Sequence, residues 1–317
     1  MECKQIPKDK SYEFFENIEK YIEIANSAES TTDFPNANSG CNSFITTFGY
    51  HFKDSTTAKH ICVQFIKLYD SLNVIKNKSK SDTNYEKCRK FLIYWINFKL
   101  REGMKNEVDS ICRVYDAIES QFTGSNDYNI HMGLIGNINK DDLYKMNILY
   151  RLYVNYVKLK AIDYKNEEEN KRQLLTHSTA CCTHYIKASY ICNDDNKDKN
   201  PEFCEKLEAF VSKYKQLNQK VDDKGSGFSD YFIKLSECPN TKIITTAVTG
   251  SIIGLIPLVG VLYKFTPMGQ MFRSKIGILN NDISNNDDEM TNISFMEQEN
   301  GPLRNQQGIY NIKYQSL

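Results

Sequence analysis

Between Lys242 and Lys264 lie twenty-one consecutive residues without a charge, Ile243 to Tyr263. As a helix rising 1.5 Å per residue they would extend about 31 Å, close to the hydrocarbon thickness of a bilayer. Eleven of them are Ile, Leu or Val, each worth about −0.3 to −0.6 kcal/mol on an insertion scale. Three threonines, three glycines and Pro257 reduce that gain without cancelling it. A helix apolar on every face must be covered by lipid or by a large core, and no other stretch here could cover it. The sequence therefore predicts a single transmembrane helix over 242–264, preceded by a domain over 1–241 and followed by a tail over 265–317.

The cysteines sort by that segment. All ten (Cys3, Cys41, Cys62, Cys88, Cys112, Cys181, Cys182, Cys192, Cys204 and Cys238) precede it, and the tail has none. This split suggests an oxidising environment for the first part and a reducing one for the second. Lys264, Arg273 and Lys275 after the span, against Lys234 and Lys242 before it, point weakly the same way. The expected topology is an external N-terminal domain and a cytoplasmic tail. The first thirty residues carry no apolar run of signal-peptide length. Either the late span serves as the targeting signal or the orientation is reversed.

Forty basic and forty acidic residues balance, which removes any electrostatic case for nucleic acid or an anionic membrane face as a partner. Seven prolines and fifteen glycines in 317 residues favour helices over many short turns. Helical spacing recurs along the chain. Tyr12, Phe15, Ile18, Ile22 and Ile24 lie near a helical period over 9–26, and Ile61, Phe65, Leu68, Leu72 and Ile75 share one face over 57–76. Cys88, Phe91, Leu92 and Trp95 do so behind a capping box at Thr83–Glu86. A helix from Asn106 to Phe122 adds Val108, Ile111, Cys112, Tyr115 and Ile118. Residues 143–161, with Leu149, Leu152, Tyr153, Tyr156 and Val157, are expected to lie centrally. A helix over 171–190 carries Cys181 and Cys182. Asn200-Pro201 opens another, with Phe203, Leu207, Phe210, Tyr214 and Leu217 on one side. A polar stretch through Cys41 reads as a loop, 222–241 as a flexible stalk, and the Asn- and Asp-rich tail as disordered. No strand alternation is visible. The fold class is all-α, a cysteine-containing helical-bundle ectodomain with Phe91, Leu92 and Trp95 in its core.

Chemistry is sparse. HExxH, GxSxG, Walker A and GxGxxG are missing, so no enzyme activity and no cofactor are expected. His177, Cys181, Cys182, His184 and Cys192 form the densest metal-like constellation, but without a C-x2-C pair it reads better as disulfides beside surface histidines. Candidate disulfide cysteines are Cys41, Cys62, Cys88, Cys112, Cys181, Cys182, Cys192, Cys204 and Cys238, with no pairing specified. Asn77-Lys-Ser79 is a glycosylation sequon, which marks an exposed loop. Gly250 and Gly254 in the span have the spacing that lets two membrane helices approach, which makes them the candidate contact of a homodimer.

Cys88-x-x-Phe-Leu-Ile-Tyr-Trp-Ile resembles the Cys…Leu-x-Tyr-Trp helix of the Plasmodium interspersed repeat (PIR) proteins, vivax-type Vir subset. The span followed by Tyr263, Lys264, Phe265, Thr266, Pro267, Met268 and Gly269, then Arg273, is similar to that family's Tyr-Lys-Phe-Thr-Pro-x-Gly junction. Phe203-Cys-x-x-Leu207-x-x-Phe210 fits as well. Ile93 stands where the family often has Asn, and the Cys181-Cys182 pair has no place in its pattern. The resemblance implies a variant surface antigen of a malaria parasite, sent to the infected red-cell or parasite surface, often without a conventional signal peptide. Its partners would be a host-cell surface protein or an antibody, met by loops 27–57, 123–140 and 193–200. A competing reading is an intracellular membrane-tethered scaffold or trafficking protein with reduced cysteines. A solute pore is disfavoured because the span has no ionisable residue to line a path.

Overall fold

The computed structural model describes residues 12–30, 34–77, 80–105, 111–122 (without the Cys112 side chain) and 136–238. They all belong to the first of two compact units, 1–253 and 254–317. After a 3-10 turn at Glu13–Asn17 the helices are α1 (Ile18–Glu29), α2 (Pro35–Phe48), α3 (Ser55–Ser71), α4 (Asn73–Lys76) and α5 (Tyr85–Gly103). Then follow α6 (Ile111–Phe122), α7 (Lys140–Lys160), α8 (Glu167–Ile191), α9 (Pro201–Asp222) and α10 (Ser226–Ser229). Among the described residues an isolated bridge pairs Phe52 with Met104, and no strand of any length forms. The all-α expectation holds for this part of the chain.

The helices start where local chemistry favours it. Asp54 accepts from the Thr57 amide at 2.7 Å, Asn139 from the Asp142 amide at 2.9 Å and Asn166 from the Glu169 amide at 3.2 Å. Each satisfies an amide that the first helical turn leaves unpaired. Asp141 and Asp142 begin α7 and Lys158 and Lys160 end it, complementing the helix dipole.

Two helices organise the core. α7 packs against α1, α5, α8 and α9, the central position expected from its broad apolar face. Leu149, Leu152, Tyr153 and Tyr156 are all buried there. α5 is buried without interruption from Lys90 to Asn97, so its polar members need partners. Lys90 reaches Glu13 at 2.5 Å. Asn97 donates to the carbonyls of Ile93 and Gly136, both at 2.9 Å, and accepts from the Ile138 amide at 3.0 Å. Every polar atom of that buried amide is used, and the approach to α7 is pinned by it. Phe91, Leu92 and Trp95 are buried. Phe91 stacks on Tyr21 at 4.8 Å between ring centres, and Phe14 on Tyr94 at 5.3 Å.

The segment 13–29 is laced to three helices by acids at helical spacing. Glu13 meets Lys90, Glu16 meets Lys87 at 2.6 Å, and Glu19 meets both Lys160 at 2.8 Å and Lys213. These pairs tie the 3-10 turn to α5, and α1 to α7 and α9.

The structure corrects four sequence-based readings. The polar stretch before and through Cys41 is helical. Ala37, Cys41 and Phe44 form a buried stripe, and at Gly40 the helix approaches α6 so closely that an added Cβ would lie 2.7 Å from the Phe122 ring. Close packing, not local propensity, makes this helix. The capping box at Thr83–Glu86 does not form. α5 begins at Tyr85, Asp82 accepts from the Asn84 amide at 2.7 Å, and Glu86 turns to Arg89 instead. The helix over 57–76 breaks at Leu72 into α3 and α4. Finally, residues 222–238 are not a loose stalk. Gly225, at φ +92°, turns the chain back in a conformation that costs glycine little, and Phe232 and Ile233 are buried beyond it.

Candidate interaction surface

The cysteines form a framework on this bundle. Cys41 is bonded to Cys62, Cys182 to Cys238 and Cys192 to Cys204, with Cα separations of 5.7, 5.6 and 5.6 Å. The first staples α2 to α3 and the third staples α8 to α9. The second joins the segment after α10 to α8. Cys88 and Cys181, expected among the paired cysteines, are instead buried free thiols. Cys88 Sγ lies 3.4 Å from the Tyr21 hydroxyl, and Cys181 faces the Leu152 carbonyl of α7 at 3.7 Å. Burial pushes both thiols above their ordinary range. Adjacent positions on a helix point about 100° apart, so Cys181 enters the α7–α8 seam while Cys182 meets Cys238. The side chain of Cys112 and all of Cys3 lie outside the described residues.

The metal-like constellation on α8 is split by these bonds. Cys182 and Cys192 go to different partners, and His177 Nδ1 contacts Asn155 Oδ1 at 3.1 Å. His177 and His184 are both pushed down to about 4, first by burial, then by Lys158 at His177 and by Lys187 and Arg151 at His184. Both imidazoles are half-buried, with His177 held against α7.

Ile243, Gly250, Gly254, Pro257 and Tyr263 of the expected span lie outside the described residues, as do Lys264, Phe265, Thr266, Pro267 and Gly269 of the junction motif. Among the described residues no helix is long and apolar enough to cross a membrane.

Of the loops expected to meet partners, 193–200 is a short exposed turn closed by Cys192–Cys204 and tied to α9 by Lys197 and Glu208 at 3.3 Å. Residues 123–135 lie outside the description. The 27–57 stretch shrinks to its ends, and its second end carries the feature that sequence reasoning missed. Tyr50 is 67 % exposed, the large hydrophobic side chain most open to solvent among the described residues. It sits in the 3-10 turn Gly49–His51 between α2 and α3 and packs on the His51 ring at 4.0 Å. The turn is held from below: the Lys53 amide donates to the Gly103 carbonyl and the Lys105 amide to the His51 carbonyl, both at 2.9 Å. Phe52 is fully buried beside it. A rigid turn that hides one aromatic ring and exposes another is the kind of anchor that interfaces use.

An open cleft of about 310 Å³ lies between the end of α7 and α9, lined by Tyr156, Lys160, Tyr164, Leu217, Lys220 and Lys224 among others. The carboxylate in its wall, Asp163, is occupied by Lys165 at 3.2 Å. It offers no acid–base pair of the kind proton transfer needs.

Residues 216–317 match the family model described as Plasmodium vivax Vir protein. The match takes in the end of α9, the docked segment to Cys238 and the uncharged stretch beyond. No curated protein and no solved structure matches the chain.

Proposed function

We propose, for a chain identified as Vir/PIR-type by the match over residues 216–317, the role of a variant surface antigen of a malaria parasite. In this reading the helical bundle is an ectodomain, 242–264 crosses the membrane once, and 265–317 lies in the cytoplasm of the cell that displays it. The family match carries the reading. Three disulfides in the bundle support it, since such bonds persist in oxidising compartments. Receptor binding or immune evasion is assigned to the exposed connections, with Tyr50 as the aromatic anchor for a host-cell surface protein or an antibody. The reading includes no enzymatic role, in keeping with the family match.

The test is access on live infected red cells. Antibodies against the 193–200 turn should bind unpermeabilised cells, and antibodies against the 265–317 tail should require permeabilisation. Tail staining on intact cells with a hidden bundle would reverse the topology, and no staining of either before permeabilisation would favour an intracellular scaffold.

A further inference from the structure

The last described residues are fastened to α8 at two points one helical turn apart. The Ile233 amide donates to Ser178 Oγ at 3.0 Å, and Cys238 is bonded to Cys182. Ser178 and Cys182 share one face of α8, being four residues apart. The Tyr214 hydroxyl donates to the Ile233 carbonyl at 2.8 Å, and Lys234 pairs with Asp222 at 3.4 Å, so α9 holds the same segment from its side. Only Pro239, Asn240 and Thr241 then separate Cys238 from Lys242. Four Cα steps span at most about 14 Å even when fully extended.

We infer that the Cys182–Cys238 bond straps the bundle against the bilayer, with the α8 edge around Thr179 and Thr183 facing lipid headgroups and the α2–α3 corner bearing Tyr50 pointing away. The inference rests on the reading of Ile243–Tyr263 as a membrane span. The Cα of Cys182 lies 5.6 Å from that of Cys238; adding the tether leaves it within about 20 Å of Lys242. On so short a leash Cys238 stays within about 14 Å of Lys242, which keeps the α8 edge the part of the bundle nearest the surface. Thr179 is exposed and Thr183 half-buried on that edge, and Lys234 beside it is 40 % exposed. The helix order sets the far side. α8 packs on α7, α7 on α1, α1 on α3 and α3 on α2. Each of the four steps between helix axes is about 8–10 Å, which allows α2 to lie up to about 40 Å from the strapped edge. The partner of the α8 edge is thus a lipid surface.

The test uses the full chain in phosphatidylcholine vesicles doped with a phosphatidylethanolamine that carries a photoactivatable diazirine on its headgroup. After illumination, adducts are mapped by peptide mass spectrometry. Adducts should concentrate on 175–187 and 226–238, at least tenfold over 35–60. The Cys182→Ser/Cys238→Ser pair should lose that preference. Because loss of the bond also frees the docked segment, a second variant keeps the bond and inserts fifteen Gly/Ser residues after Asn240; it should lose the preference while retaining the fold. Equal labelling of 35–60 and 175–187 in the unaltered chain overturns the strap. Release of the chain by alkaline carbonate overturns the span reading itself, and the strap with it.

Discussion

The indole Nε1 of Trp95 donates a 2.8 Å hydrogen bond to the Glu29 carboxylate, fastening the middle of α5 to the C-terminal end of α1. The other Glu29 oxygen meets Lys99 at 3.0 Å, and its backbone carbonyl accepts from Gln64 of α3 at 2.9 Å. One residue at a helix end therefore joins three helices.

Glu29→Ala leaves a buried indole donor without its acceptor, which costs about 1–3 kcal/mol. Glu29→Gln keeps an acceptor oxygen and should cost less. Denaturant unfolding followed through Trp95, the only tryptophan, reads both. Equal stability of Glu29→Ala and the parent would show that the node contributes nothing.

Gly103 is where α5 meets α3. A Cβ there would lie 2.5 Å from Ile61 Cδ1 and 3.1 Å from Thr57 Cγ2. Gly103→Val should destabilise by about 1–3 kcal/mol through overpacking. Gly103→Ala should do less, since Ile61 can swing its terminal methyl. A combined Gly103→Val/Ile61→Ala variant should recover part of the loss. A Gly103→Val protein as stable as the parent would mean that the helices do not approach this closely.

Much of this was legible in the sequence and some was not, for physical reasons. The faces of α3, α5, α7 and α9 are read from apolar spacing alone, and Phe203, Leu207, Phe210, Tyr214 and Leu217 are all buried. α2 was hidden because Asn, Ser and Gly dominate it, and its stability comes from Cys41, Phe44 and the close approach at Gly40. The docked segment after α9 was hidden because Asp222-DKGSGFSD is polar, while the residues that hold it, Ser178 and Cys182, lie more than forty positions earlier in the chain. The outward Tyr50 had no signal at all: its neighbours Phe48 and Phe52 are equally aromatic, and only the fold decides which ring is left in water. The zinc-like spacing on α8 was visible, but not that Cys181 and Cys182 would point to different seams.

Acid should weaken the bundle through α8. The folded pKa of His177 and of His184 is near 4, against an ordinary 6.5. Between those values the unfolded chain takes up protons that the folded helix refuses. Stability is therefore full above about pH 6.5 and is lost as pH falls towards 4. Glu119, pushed up to about 7 by burial and Asp116, acts in the opposite sense: its contribution is present below its ordinary 4.5 and is lost as pH rises through 7. A His177→Asn/His184→Gln variant isolates the histidines. Its melting temperature should fall less between pH 7 and pH 5 than that of the parent; an identical fall would show that the imidazoles are not held neutral.

Reduction should lower the melting temperature without removing the helices. Each bridge restrains the unfolded chain by about 2–4 kcal/mol. In the chain-entropy view Cys182–Cys238, at a sequence separation of 56, contributes more than Cys192–Cys204 at 12. The core around Phe14, Phe91, Tyr94 and Tyr153 is independent of all three bonds. Far-UV circular dichroism at 25 °C should keep its helical signal in reductant. Its disappearance would place the disulfides, and not the core, at the base of the fold.

Thiol mapping of the full chain taken from infected cells tests the central claim, an oxidised helical bundle outside a membrane anchor, most directly. Alkylation under denaturing, non-reducing conditions followed by peptide mass spectrometry should recover the linked pairs Cys41–Cys62, Cys182–Cys238 and Cys192–Cys204, with Cys88 and Cys181 alkylated. Ten alkylated cysteines and no linked pair would contradict the account and place the bundle in a reducing compartment.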